Sequence, residues 1–199
     1  MTTKTQLMTV ITTLVLVAGI TYLPSVAAHT DTGNFGFFTS GTQQLCYSTS
    51  AFNYMKYEGS TGQGTAVKTQ IRYGESEVSD NTDMNLSETT SCSGYQSWVS
   101  SYYDSDADKA AKTSYLYTTL GNEYKYIEFN NNSARDWKAN GNCNTATTDL
   151  SNIANHEFGH YAGSGHQSGG ASHTMMGASC DSGYSSIKSA DITYINGKY

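Results

Sequence analysis

"HEFGHYAGSGH", running from His156 to His166, holds three of the chain's five histidines in eleven residues. On a helix, residues four apart lie one above the other with Cβ atoms about 5–6 Å apart, so His156 and His160 can both reach one ion at about 2.0–2.1 Å. Glu157 lies about 100° round the helix from His156, beside such an ion rather than on it, where a carboxylate can act as base toward a water. Gly163 can end the helix in a left-handed conformation and turn the chain so that His166 arrives from another side. Three nitrogen ligands leave one coordination position open, which marks a catalytic zinc rather than a structural one. The competing reading is core or surface histidines followed by a helix-ending glycine. In a shuffled chain of this composition, H-E-x-x-H-x-x-G-x-x-H would occur with odds of about 10⁻⁵, so the spacing favours the metal.

The segments on either side supply a frame for that helix. Leu150, Ile153, Ala154 and Phe158 form an apolar stripe that can face a core, and Thr147, Thr148 or Asp149 can cap the first turn after a polar loop over Lys138–Thr148. Upstream, Gln43–Thr49 reads as a first strand, and Ala66, Val67, Gln70 and Ile71 carry a short amphipathic helix that should stop near Gly74. Ser114–Leu120 and Glu123–Asn130 have strand composition, with Gly121-Asn122 between them as a tight turn. A last helix is expected over Ser189–Tyr199, capped by Ser189, with Ile192, Ile195 and Tyr199 on one side. The class predicted is α+β.

With 199 residues the chain is expected to be one domain. Residues 1–28 contain Lys4, an apolar run from Leu7 to Leu23 diluted by threonines, and a small-residue end at Ala27 and Ala28, as in a secretory signal peptide cut after either alanine. An uncleaved membrane anchor is the alternative reading of the same run. The expectation is a soluble, secreted, monomeric domain over 29–199, off the membrane once cleavage has occurred. Acidic side chains outnumber basic ones 17 to 11, and no block of Lys or Arg occurs, which argues against nucleic acid or an anionic membrane as partner. Cys46, Cys92, Cys143 and Cys180 are even in number and lack CxxC spacing, so two disulfides in an oxidising compartment are expected. Four cysteines allow three pairings. Asn85-Leu86-Ser87 and Asn131-Asn132-Ser133 are glycosylation sequons.

The full histidine string, followed by "SHTMMGASC" (Ser172–Cys180), resembles the metzincin zinc proteases. Among these the chain is most similar to a matrixin catalytic domain. Ile127–Trp137 resembles the strand and tryptophan upstream of the zinc helix, and Ser189–Tyr199 the closing helix, with Asp191 at its acidic position. The part before about Glu123 matches only loosely. The resemblance implies a metzincin-like zincin domain: a twisted mixed sheet, a zinc-binding active-site helix, a Met-turn and a C-terminal helix. It places Met176 as the turn methionine, with Met175 as rival, and Tyr184 on the S1′ side of the cleft. It implies a secreted zinc endopeptidase in which one Zn²⁺ on His156, His160 and His166 activates a water and Glu157 is the general base. An extended peptide would lie antiparallel on the edge strand near Ile127–Asn130. The same resemblance puts Cys143 and Cys180 at the active-site half, pairing them with each other and Cys46 with Cys92. A non-catalytic zinc-binding or adhesion module of the same fold, and a zinc hydrolase of non-peptide substrates, are the alternatives.

Departures from the family are also legible. Outside the motif only His29 and His173 remain, too few for the structural zinc of vertebrate matrixins, and nothing before the domain resembles a cysteine-switch propeptide. Ala178 stands where astacins and serralysins carry a zinc-binding tyrosine. Asp104, Asp106 and Asp108 imitate half of an EF-hand, but Lys109 occupies the glycine position and Tyr115 that of the bidentate glutamate, so Ca²⁺ is a second candidate ion against a solvated acidic turn.

Overall fold

The structure is a computed structural model, and it describes residues 42–92, 97–117, 123–141, 147–166, 175–176 and 186–199. Five strands form a mixed sheet: β1 (Thr42–Tyr47), β2 (Asn85–Glu88), β3 (Ser97–Tyr102), β4 (Ala111–Tyr117) and β5 (Glu123–Asn130), in the order β2-β1-β3-β5-β4. β1, β2, β3 and β5 run parallel, and β4 closes one edge antiparallel to β5, with Thr113 opposite Ile127. Parallel neighbours need crossovers, and the first is made by α2 (Gly64–Asn81) between β1 and β2. A short α1 (Thr49–Phe52) follows β1, and two residue pairs, β6 (Trp137–Lys138) with β7 (Thr148–Asp149), lie side by side just before α3 (Leu150–Tyr161). α4 (Ser189–Asn196) ends the order. The molecule is therefore α+β with a mixed sheet.

One apolar core lies between sheet and helices. Leu45, Val99, Ile127 and Phe129 from the strands meet Val67, Ile71 and Val78 of α2 and Leu150, Ala154 and Phe158 of α3, all buried. Ile153, expected on the same stripe, is only partly buried. Trp137 is fully buried, its ring N–H donating to the carbonyl of Asn130 at 3.0 Å. A disulfide joins Cys46 of β1 to Cys92 beyond β2, as expected. Among the described residues no helix is long and apolar enough to cross a membrane.

Three expectations change. α2 does not stop near Gly74 but runs on to Asn81, because Gly74 is where α2 touches α3: a Cβ there would lie 2.6 Å from the carbonyl carbon of Ala154. Contact with another backbone, not helix termination, requires that glycine. Ser189 is the first helical residue of α4 rather than its cap; Asp191 accepts the N–H of Lys188 at 3.0 Å instead. Ile127–Asn130 is not an edge. β5 pairs with β3 on one side and β4 on the other, so its main-chain groups are taken, and among the described residues β4 is the edge strand on this side of the sheet. The signal-like segment 1–28, His29, the turn at Gly121-Asn122, Cys143, His173, Ala178, Cys180 and Tyr184 lie outside the described residues.

Candidate metal centre

α3 begins where Asp149 accepts the N–H of Asn152 at 2.9 Å, which identifies the cap among the three candidates. Its far end is fixed in two ways. Gly163 takes φ +95°, the left-handed conformation expected of it, and the N–H groups of Gly163 and Ser164 bond back to the carbonyls of His160 and Gly159. Lys125 of β5, 1% exposed, donates its ammonium to the carbonyl of Tyr161 at 2.6 Å, where a helix C-terminus leaves carbonyls in need of donors. Sequence periodicity offers no sign of this buried lysine.

These anchors bring His156, His160 and His166 together. Nε2 of His166 lies 3.1 Å from Nε2 of His156 and 3.1 Å from Nε2 of His160. Two imidazole nitrogens about 2.05 Å from a tetrahedral ion would stand about 3.3 Å apart, so the trio has the spacing of a ligand set. Their other nitrogens decide the tautomer. His156 Nδ1 donates to the carbonyl of Met175 at 3.0 Å, and His160 Nδ1 to that of Ser164 at 2.6 Å. With both Nδ1 atoms holding the ring protons, the Nε2 lone pairs face the shared point, as outer hydrogen bonds arrange for metal-bound histidines. Burial pushes His156 down to about 4 and His160 to about 2, so both stay neutral and able to ligate at ordinary pH. Imidazole donors of this kind suit zinc.

Glu157 is 5% exposed and stands on the neighbouring face of α3. Burial raises its carboxyl to about 7, against the lowering effect of a hydrogen bond from Thr113 of β4 at 2.6 Å. A carboxyl that exchanges its proton near neutrality is suited to general acid–base work.

Met175 and Met176 are both buried beneath the helix. A Cβ on Gly159 would lie 2.2 Å from the sulfur of Met176 and 2.7 Å from the terminal methyl of Met175, so the glycine admits both. The sulfur against the helix belongs to Met176, while Met175 contributes the carbonyl that orients His156. The N–H of Met175 is in turn held at 2.8 Å by Asp191, a fully buried carboxylate of α4.

The acidic loop is arranged differently. Asp104 and Asp106 accept the N–H groups of Asp106 and Asp108, and the ammonium of Lys109 lies 3.6 and 3.8 Å from their outer oxygens. Among the described residues the set of side chains gathered as a metal would require is the histidine trio.

No family model and no curated protein matches the chain. A solved structure described as "GM1 bound form of the ECX AB5 holotoxin" matches over 69% of this chain and 57% of that one, less than two thirds of its length, at 13% identity and a TM-score of 0.35. A likeness that weak carries no argument about fold or chemistry. The expectation of a secreted endopeptidase is corrected: the comparisons give the chain no peptidase family, and what remains is the chemistry of the site itself.

Proposed function

We propose that the chain is a zinc-dependent hydrolase whose metal is held by His156, His160 and His166 and whose base is Glu157. The observation that carries this reading is that Nε2 of His166 lies 3.1 Å from Nε2 of both His156 and His160, with the partner nitrogens of those two tied to carbonyls. We infer a zincin-like domain for the same reason, a mixed sheet with an antiparallel edge lying over the histidine helix. An oxidising, extracytoplasmic location accords with the Cys46–Cys92 disulfide and the signal-like start.

A bound zinc ion supplies Lewis acidity, which polarises a carbonyl oxygen and makes a water more acidic. Glu157 accepts the proton that the attacking water gives up and returns it to the leaving group. The histidines stay neutral throughout, held by Met175 and Ser164.

Zinc content by elemental analysis, alongside hydrolysis of a panel of peptide amides and esters, tests the reading. One zinc per chain and turnover that drops at least about 10²-fold in Glu157→Gln, with zinc retained, are expected. A zinc-loaded protein that hydrolyses nothing faster than this variant would leave a binding module and sink the hydrolase.

A further inference from the structure

We propose that Thr113 is a positioning residue for Glu157: its hydroxyl, on the edge strand, holds the carboxyl in one orientation whether or not the carboxyl carries a proton. The inference rests on Glu157 being the base. Thr113 Oγ1 lies 2.6 Å from Oε2 of Glu157 and 3.0 Å from the backbone carbonyl oxygen of the same residue. Among the described residues it is the hydrogen-bond partner of that carboxyl. Forty-four positions separate the two in sequence, and they meet because β4, through its antiparallel pairing with β5, passes beside α3.

A hydroxyl has one proton to give and lone pairs to receive. With the carboxylate ionised, Thr113 donates to Oε2. The proton given up by the water goes to Oε1, the oxygen that faces it, and Thr113 goes on donating to Oε2, which still accepts as the carbonyl oxygen of the neutral carboxyl. No heavy atom moves, and neither state leaves this buried group short of a partner, which would otherwise be costly. Oε1 stays available to the substrate water in the first state. The hydroxyl thus does for the base what the Met175 and Ser164 carbonyls do for the histidines.

Thr113→Val keeps the side-chain shape and removes both bonds. The expected result is unchanged zinc content, a thermal midpoint lower by about 2–10 °C because the buried carboxyl loses its partner, KM within about twofold, and kcat lower by about tenfold, the lower end for losing a hydrogen bond to a charged group. Thr113→Ser should restore kcat to within about threefold, and Thr113→Ala, a second hydroxyl-free variant, should behave as the valine form does. Infrared spectra of the zinc-loaded protein, taken as differences against Glu157→Gln, isolate the carboxyl bands. These should shift in the valine and alanine forms and return in the serine form. Bands and kcat unmoved by loss of the hydroxyl, or a serine variant as impaired as valine, overturn the proposal. If no substrate turns over in any form, the hydrolase reading falls by itself and the infrared bands still decide this one: unshifted bands overturn it.

Discussion

Two groups of metal-competent side chains, the histidines at the end of α3 and the aspartates of the 104–108 loop, end in opposite states. Each histidine of α3 in the trio spends one nitrogen on a backbone carbonyl and turns the other toward a point that the third also faces. The aspartates spend their oxygens on neighbouring N–H groups and on Lys109. The loop's carbonyls are engaged too. Asn130 donates to those of Asp106 and Lys109, Asn132 to those of Asp104 and Ser105, and Arg135 to that of Ala107. A cation needs convergent lone pairs whose alternative partners have been removed. The histidine end provides them, whereas protein donors have already satisfied the aspartate loop.

The strongest test of that contrast is His160→Ala. It removes one of three ligands and should weaken zinc binding by well over the roughly 10²-fold that loss of an outer partner costs, read by competition with a chromogenic chelator. Retention of tight one-to-one zinc would break the comparison at its stronger side.

A second test uses pH on metal-free protein. His156 and His160 are depressed below the usual 6.5, so the stability they contribute is present above that value and is lost as pH falls through it. Glu157 is raised from 4.5 to about 7, so its contribution is full at low pH and is lost as pH rises through 7. Near pH 5.5 two histidines oppose one carboxyl, and stability should fall on acidification. Glu157→Gln removes the opposing group and should make that fall about twice as steep, measured by urea unfolding across the range. Equal slopes in the two proteins would mean that the carboxyl is not raised by its surroundings.

The smallest effect belongs to the aspartates. Asp104→Asn with Asp106→Asn should change stability by no more than about 0.5–1 kcal/mol, since the ion pairs with Lys109 are exposed. Added calcium should leave the thermal midpoint of the wild-type protein where it was. A calcium-dependent rise that the double variant lacks would place a second ion in the loop and end the contrast.

What could be read from the chain alone follows from local periodicity and spacing. The 3.6-residue turn stacks His156 on His160, Asp149 precedes an apolar stripe, and Gly163 lies where only a left-handed residue turns the chain; all three appear in the structure. β5 runs from Glu123 to Asn130 as its composition predicts, since alternation within one strand needs no partner to be seen. Neighbours distant in sequence decided the rest. Gly74 reads as a stop because glycine is a poor helix former, yet the close approach of α3 makes it an interior contact. The resemblance makes Ile127–Asn130 an edge, whereas β5 is paired on both sides, and pairing partners are not written in a strand's own residues. Thr113, Lys125 and the carbonyl of Met175 act on α3 from other elements, across 44, 36 and 19 positions, and no local pattern announces them. Residue types and helical spacing determine which side chains can ligate or accept a proton. Only the packing of β4, β5, α4 and the methionine segment around α3 determines which nitrogen keeps its proton and how the carboxyl is held, because those depend on donors and acceptors that the chain supplies from elsewhere.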